Sequence, residues 1–534
     1  MADQIDTPPD LSSLSEDQLS DRFDALQRKL VPLWKTLRSV TKGPQTVVIV
    51  PSVSFGSEVL ENLPGVQHFE ERLLILLMFL RNPTLRLIYV TSQPILPSVI
   101  DYYLYLLPGV IPSQARKRLF LVSTLDGSVR PLTRKLLERP RLIRQLGGLI
   151  PDPDRAYMIP FNTTELEREL ALDLGIPILG ADPKLAFFGT KSGARKVFSE
   201  VGVACPAGVE DLSSIDDALV AIAKVRCDNP SIEKILVKTN QGVSGLGIVK
   251  LDLAGLPAPG DSDEIQRLDQ RLKESLDAVA YDEYGARLQR AGGVVEEEIS
   301  GTEIRSPSVQ LFLTPLGEVQ VLSTHDQLLG GEEGHNYVGC RFPADTSYAL
   351  TITAEAEKIG KRLAAEGVVG RAAIDFVVVR SNGRSNGRSN GAWLTYAIEI
   401  NLRQGGTTHP FLTLQFLTDG RYIPEEAIFI APNGRKKFFV ASDHVESDSY
   451  RGFTPDDLFD IVVRHQLHFD HSQQTGVVFH MMSALPEIGR TGLTAVADSS
   501  EEAGWIHDRV VKVLDEEAKL AFRPRRGPAQ ASDV

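Results

Sequence analysis

Ala372-Ala373-Ile374-Asp375-Phe376-Val377-Val378 and, further on, Tyr396-Ala397-Ile398-Glu399-Ile400-Asn401-Leu402-Arg403 set three oxygen-bearing side chains inside two apolar runs. Such runs read as strands, here 374–379 and 393–400. Residues two apart on a strand point to one face, so Glu399 and Asn401 project together and Arg403 follows them. Paired as a hairpin, the two strands bring Asp375 to the same place. A charge within an apolar strand is costly unless it is paired or bound to a cation. Asp375, Glu399 and Asn401 therefore read as an all-oxygen ligand set suited to Mg²⁺. Arg403 reads as a planar fork for a carboxylate. Three tandem copies of Arg-Ser-Asn-Gly, from Arg380 to Gly391, lie between the strands. Ser, Asn and Gly favour turns, so they read as a solvated hairpin tip.

Upstream, Lys238 ends a strand (Ile235-Leu236-Val237) and opens Thr239-Asn240-Gln241-Gly242-Val243-Ser244-Gly245-Leu246-Gly247. A turn with Gly242, Ser244, Gly245 and Gly247 can nest an anion on its N–H groups, although a plain glycine-rich hairpin has the same composition. The order GxxxxGK[ST] is absent, and Gly245-Leu246-Gly247 lacks the third glycine of GxGxxG, so neither a P-loop nor a Rossmann turn is expected. Glu296-Glu297-Glu298-Ile299-Ser300-Gly301-Thr302-Glu303 places four carboxylates at the end of another strand. Such a run reads either as a solvated surface or as a hinge whose backbone and Glu296 meet a base while Glu303 meets a ribose.

In order and spacing these pieces resemble the ATP-grasp superfamily, which includes D-alanine–D-alanine ligase and biotin carboxylase. The matching residues are Lys191, eleven before Gly202; Lys238 and its glycine-rich loop; Glu296, seven before Glu303; Asp375; and Glu399-Ile400-Asn401-Leu402-Arg403. The resemblance implies ATP as substrate and two Mg²⁺ ions held by Asp375, Glu399 and Asn401. It gives the phosphates to Lys191 and Lys238, and adenosine to Glu296, Glu298, Ile299 and Glu303. A longer resemblance, to the pheganomycin-type peptide ligases, rests on Val90-Thr91-Ser92-Gln93-Pro94-Ile95, Pro131 to Pro140, Glu399 to Pro410 (EINLRQGGTTHP) and Gly476 to Met482. It implies an ATP-dependent carboxylate–amine ligase that makes an amide through an acyl phosphate, with Arg403 and Lys238 catalytic. The alternatives sharing the same ATP site are a small-molecule carboxylate–amine ligase, a phosphotransferase and a non-catalytic nucleotide-binding protein.

The expected fold is α/β, α+β in its ATP-grasp part. A helical leader (1–43) precedes a parallel pre-ATP-grasp domain (44–180), where short strands alternate with amphipathic helices. Two ATP-grasp lobes follow (about 181–298 and 299–420), then a C-terminal lobe (421–522) and a tail (523–534). A helix is expected over Phe69–Phe79, and a single long one over about 264–291. Thr454, Pro455, Asp456 and Asp457 mark a helix start.

For the substrate side, Gly405, Gly406 and Thr407 before His409 read as an anion-binding turn at a helix start, with Thr407 as its possible cap. His325 and His335 flank a glycine-rich loop that could border the substrate. The 534 residues carry a formal net charge of −13 without a basic block, which excludes a nucleic-acid footprint. Three cysteines with no CxxC pair exclude a disulfide framework. No signal peptide or membrane-length apolar run is visible. A cytoplasmic enzyme acting on carboxylate and amine substrates is expected, and the ATP-grasp resemblance allows a homodimer.

Overall fold

The computed structural model describes residues 11–38, 43–242, 247–276, 278–331, 336–380 and 391–521. Ser244, Gly245, His335, the Arg-Ser-Asn-Gly copies over 381–390 and the tail lie outside them.

The first sheet contains β1 (Gln45–Val50), β2 (Leu85–Thr91), β3 (Leu119–Ser123) and β4 (Ala156–Pro160), all parallel, in the order β3-β2-β1-β4. Val47 to Val50 are fully buried, as befits a strand covered on both faces. The stretch Val66–Arg81 is a 3-10 helix rather than the α-helix expected over Phe69–Phe79. Its apolar residues leave no polar stripe, and Leu73 to Met78 are buried all round. The leader forms helices over Glu16–Gln27 and Leu30–Arg38. Gln27 ties them to the first domain by accepting from the Ile178 N–H (2.7 Å) and donating to its carbonyl (3.1 Å).

A small antiparallel sheet follows: β5 (Gly208–Leu212), β6 (Lys234–Thr239), β7 (Ile248–Asp252) and β8 (Gly293–Glu297), in the order β5-β8-β6-β7. Its covering helices bury Leu219, Ile222, Leu268 and Leu288 against Ile235 and Val237. The helix expected over 264–291 is two, Glu264–Ser275 and Ala278–Ala291, because Leu276 is extended (φ −125°, ψ 141°).

The large sheet begins with β9 (Ile304–Arg305), β10 (Pro307–Leu313), β11 (Val319–Gly330), β12 (Asn336–Phe342), β13 (Gly370–Arg380) and β14 (Trp393–Asn401). A two-stranded ribbon, β15 (Arg421–Ile423) and β16 (Ile428–Ile430), stands apart. The segment expected as a separate C-terminal lobe adds β17 (Phe438–Glu446), β18 (Gly476–His480) and β19 (Arg490–Ala497) to the large sheet. The strand path is β14-β13-β10-β11-β12-β17-β19-β18, with β9 beside β13. The join is the β12–β17 ladder, Gly339↔Ser442 to Phe342↔Phe439, where the Phe342 and Phe439 rings stack at 4.9 Å. In the same segment, Thr454 caps Pro455–Arg464 by accepting from the Asp457 N–H. Among the described residues no helix is long and apolar enough to cross a membrane.

Candidate active site

Strands β13 and β14 pair antiparallel, with Asp375 opposite Glu399 and Ala373 opposite Asn401 before a bulge at Asp375/Phe376. The three oxygen-bearing side chains meet on one face. Asn401 Nδ2 donates to Asp375 (2.9 Å) and to Glu399 (3.4 Å), and Gln327 Nε2 donates to the other Asp375 oxygen (3.0 Å). Burial, and then the Glu399 charge, push the Asp375 carboxyl up to about 6. Two carboxylates held this close in a half-buried place repel each other, and a divalent cation would relieve that repulsion. The donor set fits Mg²⁺ on those grounds.

Lys191 is the first residue of helix Lys191–Glu200, whose cap is Thr190 accepting from the Gly193 N–H (3.0 Å). Its Nζ lies 3.7 Å from Glu399 Oε1. The next residue, Ser192, donates its N–H to Asn240 Oδ1 (2.9 Å) and its hydroxyl to the Gly293 carbonyl (3.3 Å). The start of this helix is thus the seam between the small sheet and the β13–β14 hairpin, with Lys191 on it.

Lys238 lies on β6 and donates to Glu296 Oε2 (2.6 Å), while Arg195 Nη1 donates to Glu296 Oε1 (3.0 Å). The Glu296 carboxylate is buried between two cations, which hold it below the usual carboxylate range against the burial cost. It faces these cations instead of open space, which differs from the base-reading role the run suggested. Glu298 pairs with Lys250, and Ile299 is half-buried in the link after β8. Glu303 pairs with Arg305 (3.0 Å) and with Arg380, so it stands on the large-sheet side. Gly242 and Gly247 flank the loop after β6. Gly247 has φ +79°, and a Cβ there would meet Thr239 Oγ1 at 2.3 Å, a glycine requirement of backbone and space together.

Beyond Asn401 the chain turns along a cavity of about 370 Å³. Arg403 and Gln404 line it, with walls from β4, β10, β11, the 3-10 helix and Trp34 of the leader. Burial pushes the Arg403 guanidinium down, and Glu399 and Asp375 oppose that shift. Neither Trp34 nor Arg371, which also lines the cavity, carried a sequence signal. They come from segments more than three hundred residues apart, and only folding joins them.

The turn after Arg403 needs a glycine at 406, where a Cβ would sit 2.3 Å from the Tyr337 ring; at Gly405 a Cβ would meet nothing closer than 4.0 Å. Thr407 precedes helix Thr408–Thr418 but makes no capping bond. The Thr408 hydroxyl instead accepts from the Gly405 N–H (3.0 Å). Two expectations are corrected here. His409 does not reach a substrate surface: it is 2% exposed, and its Nε2 lies 3.1 Å from Asp443 Oδ1 and 2.9 Å from His480 Nε2. His480 approaches the same oxygen at 2.6 Å, and Arg72 holds the other at 2.8 Å. Burial pushes His409 down to about 3. His325 is likewise fully buried, among Phe342, Phe411 and Phe439 with Ser323 at 2.7 Å. Desolvation holds it neutral, down to about 3, so neither histidine can take a proton from an incoming amine.

Known proteins resemble this chain over much of its length. A family model described as "IQCH-like, ATP-grasp" matches residues 183–279 and 262–395, and one described as "PGM1 C-terminal domain" matches 457–510. The L-propargylglycine–L-glutamate ligase of Streptantibioticus cattleyicolor is 28% identical over 475 residues, 87% of this chain and 93% of that protein. The IQ motif-containing protein H of Danio rerio is 24% identical over 402 residues, 67% of this chain but 38% of that protein. Among solved structures, the biotin carboxylase domain of the Hydrogenobacter thermophilus 2-oxoglutarate carboxylase, in complex with MgADP, ADP and bicarbonate, superposes with a TM-score of 0.51. It is 13% identical, over 88% of this chain and 89% of that one, a likeness of fold.

Proposed function

We propose that the chain is an ATP-grasp enzyme, an ATP-dependent carboxylate–amine ligase joining an amino-acid-like acyl donor to the amino group of an amino acid or peptide. The observation that carries this reading is a single juxtaposition. Asp375, Glu399 and Asn401 share one face with Lys191 3.7 Å from Glu399, and the next residues turn Arg403 into a cavity. A ligand set beside a carboxylate fork at the mouth of a cavity suits activation of an acid. The similarity to a ligase of two amino acids over 87% of the chain supports the same class of reaction.

In this reading Lys191 and Lys238 hold the phosphates of ATP, and Asp375, Glu399 and Asn401 hold two Mg²⁺ ions. Bound Mg²⁺ would neutralise charge on the transferred phosphoryl group. Arg403 fixes the acid's carboxylate, which takes the γ-phosphoryl group to give an acyl phosphate and ADP. The amine then attacks the acyl carbon. The amide bond forms, phosphate leaves, and the amine's proton passes to solvent or to the leaving phosphate. The cavity walls keep water from the acyl phosphate in the meantime.

The test is ADP and phosphate release with MgATP against acids and amines offered singly and in pairs. Release that requires a pair, with a product mass equal to both substrates minus water, is the expected result. Phosphate transferred to one acceptor with no amide would replace this reading by a phosphotransferase. Arg403→Met should lower kcat/KM for the acid by about 10²–10³-fold, the effect of losing one charge-stabilising group. MgATP affinity should stay within a few-fold. An unchanged kcat/KM would remove Arg403 from the reaction.

A further inference from the structure

The cavity beside Arg403 holds a second guanidinium. Arg371 opens β13 opposite Phe312 of β10 and lies on the face of Asp375, four residues along, roughly 13 Å at strand rise. Among the described residues its buried Nη1 has no hydrogen-bond partner and Arg371 forms no ion pair. Burial alone pushes the group down to about 10, so it stays a cation at neutral pH. An unpaired guanidinium in an apolar cavity costs several kcal/mol unless something supplied from outside satisfies it.

The rest of the lining says what that would be. Trp34, Phe79, Phe312 and Leu322 form apolar walls, and the Trp34 and Phe312 rings lie 5.2 Å apart. Among the described residues no aspartate or glutamate lines the cavity. With Arg371 and Arg403 it carries two positive charges and no negative one. Gln404 is fixed by donating Nε2 to the Pro160 carbonyl (2.9 Å), while among the described residues its buried Oε1 has no partner and neither does Trp34 Nε1. One donor and one acceptor are therefore left over besides the two guanidinium groups.

We propose that this cavity binds the acyl donor, and that the donor is a dicarboxylic acid with an apolar midsection. Arg403 holds the carboxylate to be activated, next to Asp375 and Glu399. Arg371 holds the second carboxylate and determines specificity. Gln404 Oε1 accepts from an N–H or O–H on the donor. The inference rests on the ligase reading for which carboxylate reacts, but the binding of a dianion does not depend on turnover.

The experiment is calorimetric binding to the full chain, with Mg²⁺ and a non-hydrolysable ATP analogue present. The probes are dicarboxylic acids from succinate to adipate, unsubstituted or bearing an amino or phenyl group, each paired with its monoamide. At least one dicarboxylate should bind more than tenfold tighter than its monoamide, and Arg371→Met should erase that preference. Because Arg371 is unpaired in the protein alone, the variant should fold at least as well as wild type by thermal melting. Equal binding of acid and monoamide by wild type, binding of no dicarboxylate, or a preference that survives in Arg371→Met would each overturn the proposal. Preferential binding that Arg371→Met erases, with no amide formed with any amine, would instead keep the pocket and sink the ligase reading.

Discussion

Replacing Asp375 by asparagine is expected to lower the rate of pair-dependent phosphate release by about 10³-fold or more while leaving the metal-free protein at least as stable. The first half follows from charge. Asp375 and Glu399 supply the formal negative charge of the ligand set, and several kcal/mol of lost transition-state stabilisation is about a thousandfold in rate. The second half follows from the environment of the carboxyl group. Burial and the neighbouring Glu399 push it up to about 6 from an ordinary 3.8, so folding disfavours its charged form. The folded protein therefore binds more protons than the unfolded chain between about pH 4 and 6. By linkage, this group's contribution to stability is present below pH 4 and lost as pH rises through 6. An amide has no such loss, so metal-free Asp375→Asn should gain on wild type as pH rises from 4 to 7. Gln327 and Asn401 both donate to Asp375, and Asn401 can turn its amide to meet the new side chain. Urea unfolding with EDTA at pH 4.5 and 7.5 measures the stability half. Turnover within tenfold of wild type would remove Asp375 from the metal site.

The same residues show what a sequence can carry. Asp375, Glu399 and Asn401 were legible because strand alternation is a local rule: two positions two apart must share a face. The start of the helix at Thr454 was legible for a similar reason, since cap and first turn lie within four residues. The cavity was not. Trp34, Phe79, Phe312, Arg371 and Gln404 belong to five segments, and no periodicity relates them. His409 and His325 misled because histidines beside glycine-rich turns read as exposed, whereas burial is decided by partners elsewhere. Those of His409 are Asp443 and His480, on strands 34 and 71 residues further on. The β12–β17 ladder was hidden likewise: which strand joins which edge is set by the packed faces, not by either strand's composition.

The largest stability effect should come from Glu296 and not from the hydrophobic core of the small sheet. Its two oxygens accept from Arg195 (3.0 Å) and Lys238 (2.6 Å), and all three side chains are less than a tenth exposed. Arg195 has other acceptors, the Pro206 carbonyl (2.9 Å) and Glu210 (3.2 Å). Lys238 has no other acceptor among the described residues, so Glu296→Gln strands its ammonium in a buried place. Removing one partner of such a pair costs about 3–5 kcal/mol, whereas replacing both by apolar groups of similar size is close to neutral. Glu296→Gln should therefore destabilise the β5–β8 sheet by about that amount, and Glu296→Met with Lys238→Met should recover most of it. The pH dependence has a definite sign. The folded-state pKa of Glu296 lies below its ordinary 4.5, so the advantage of wild type over Glu296→Gln is fully present above 4.5. It shrinks as pH falls through the lower folded value. Hydrogen exchange at the amides of β6 and β8, at pH 7, isolates this sheet from the rest of the molecule. Protection in Glu296→Gln equal to wild type would mean that Lys238 finds another partner. A double variant no better than the single one would mean that the three side chains hold the sheet by shape and not by charge.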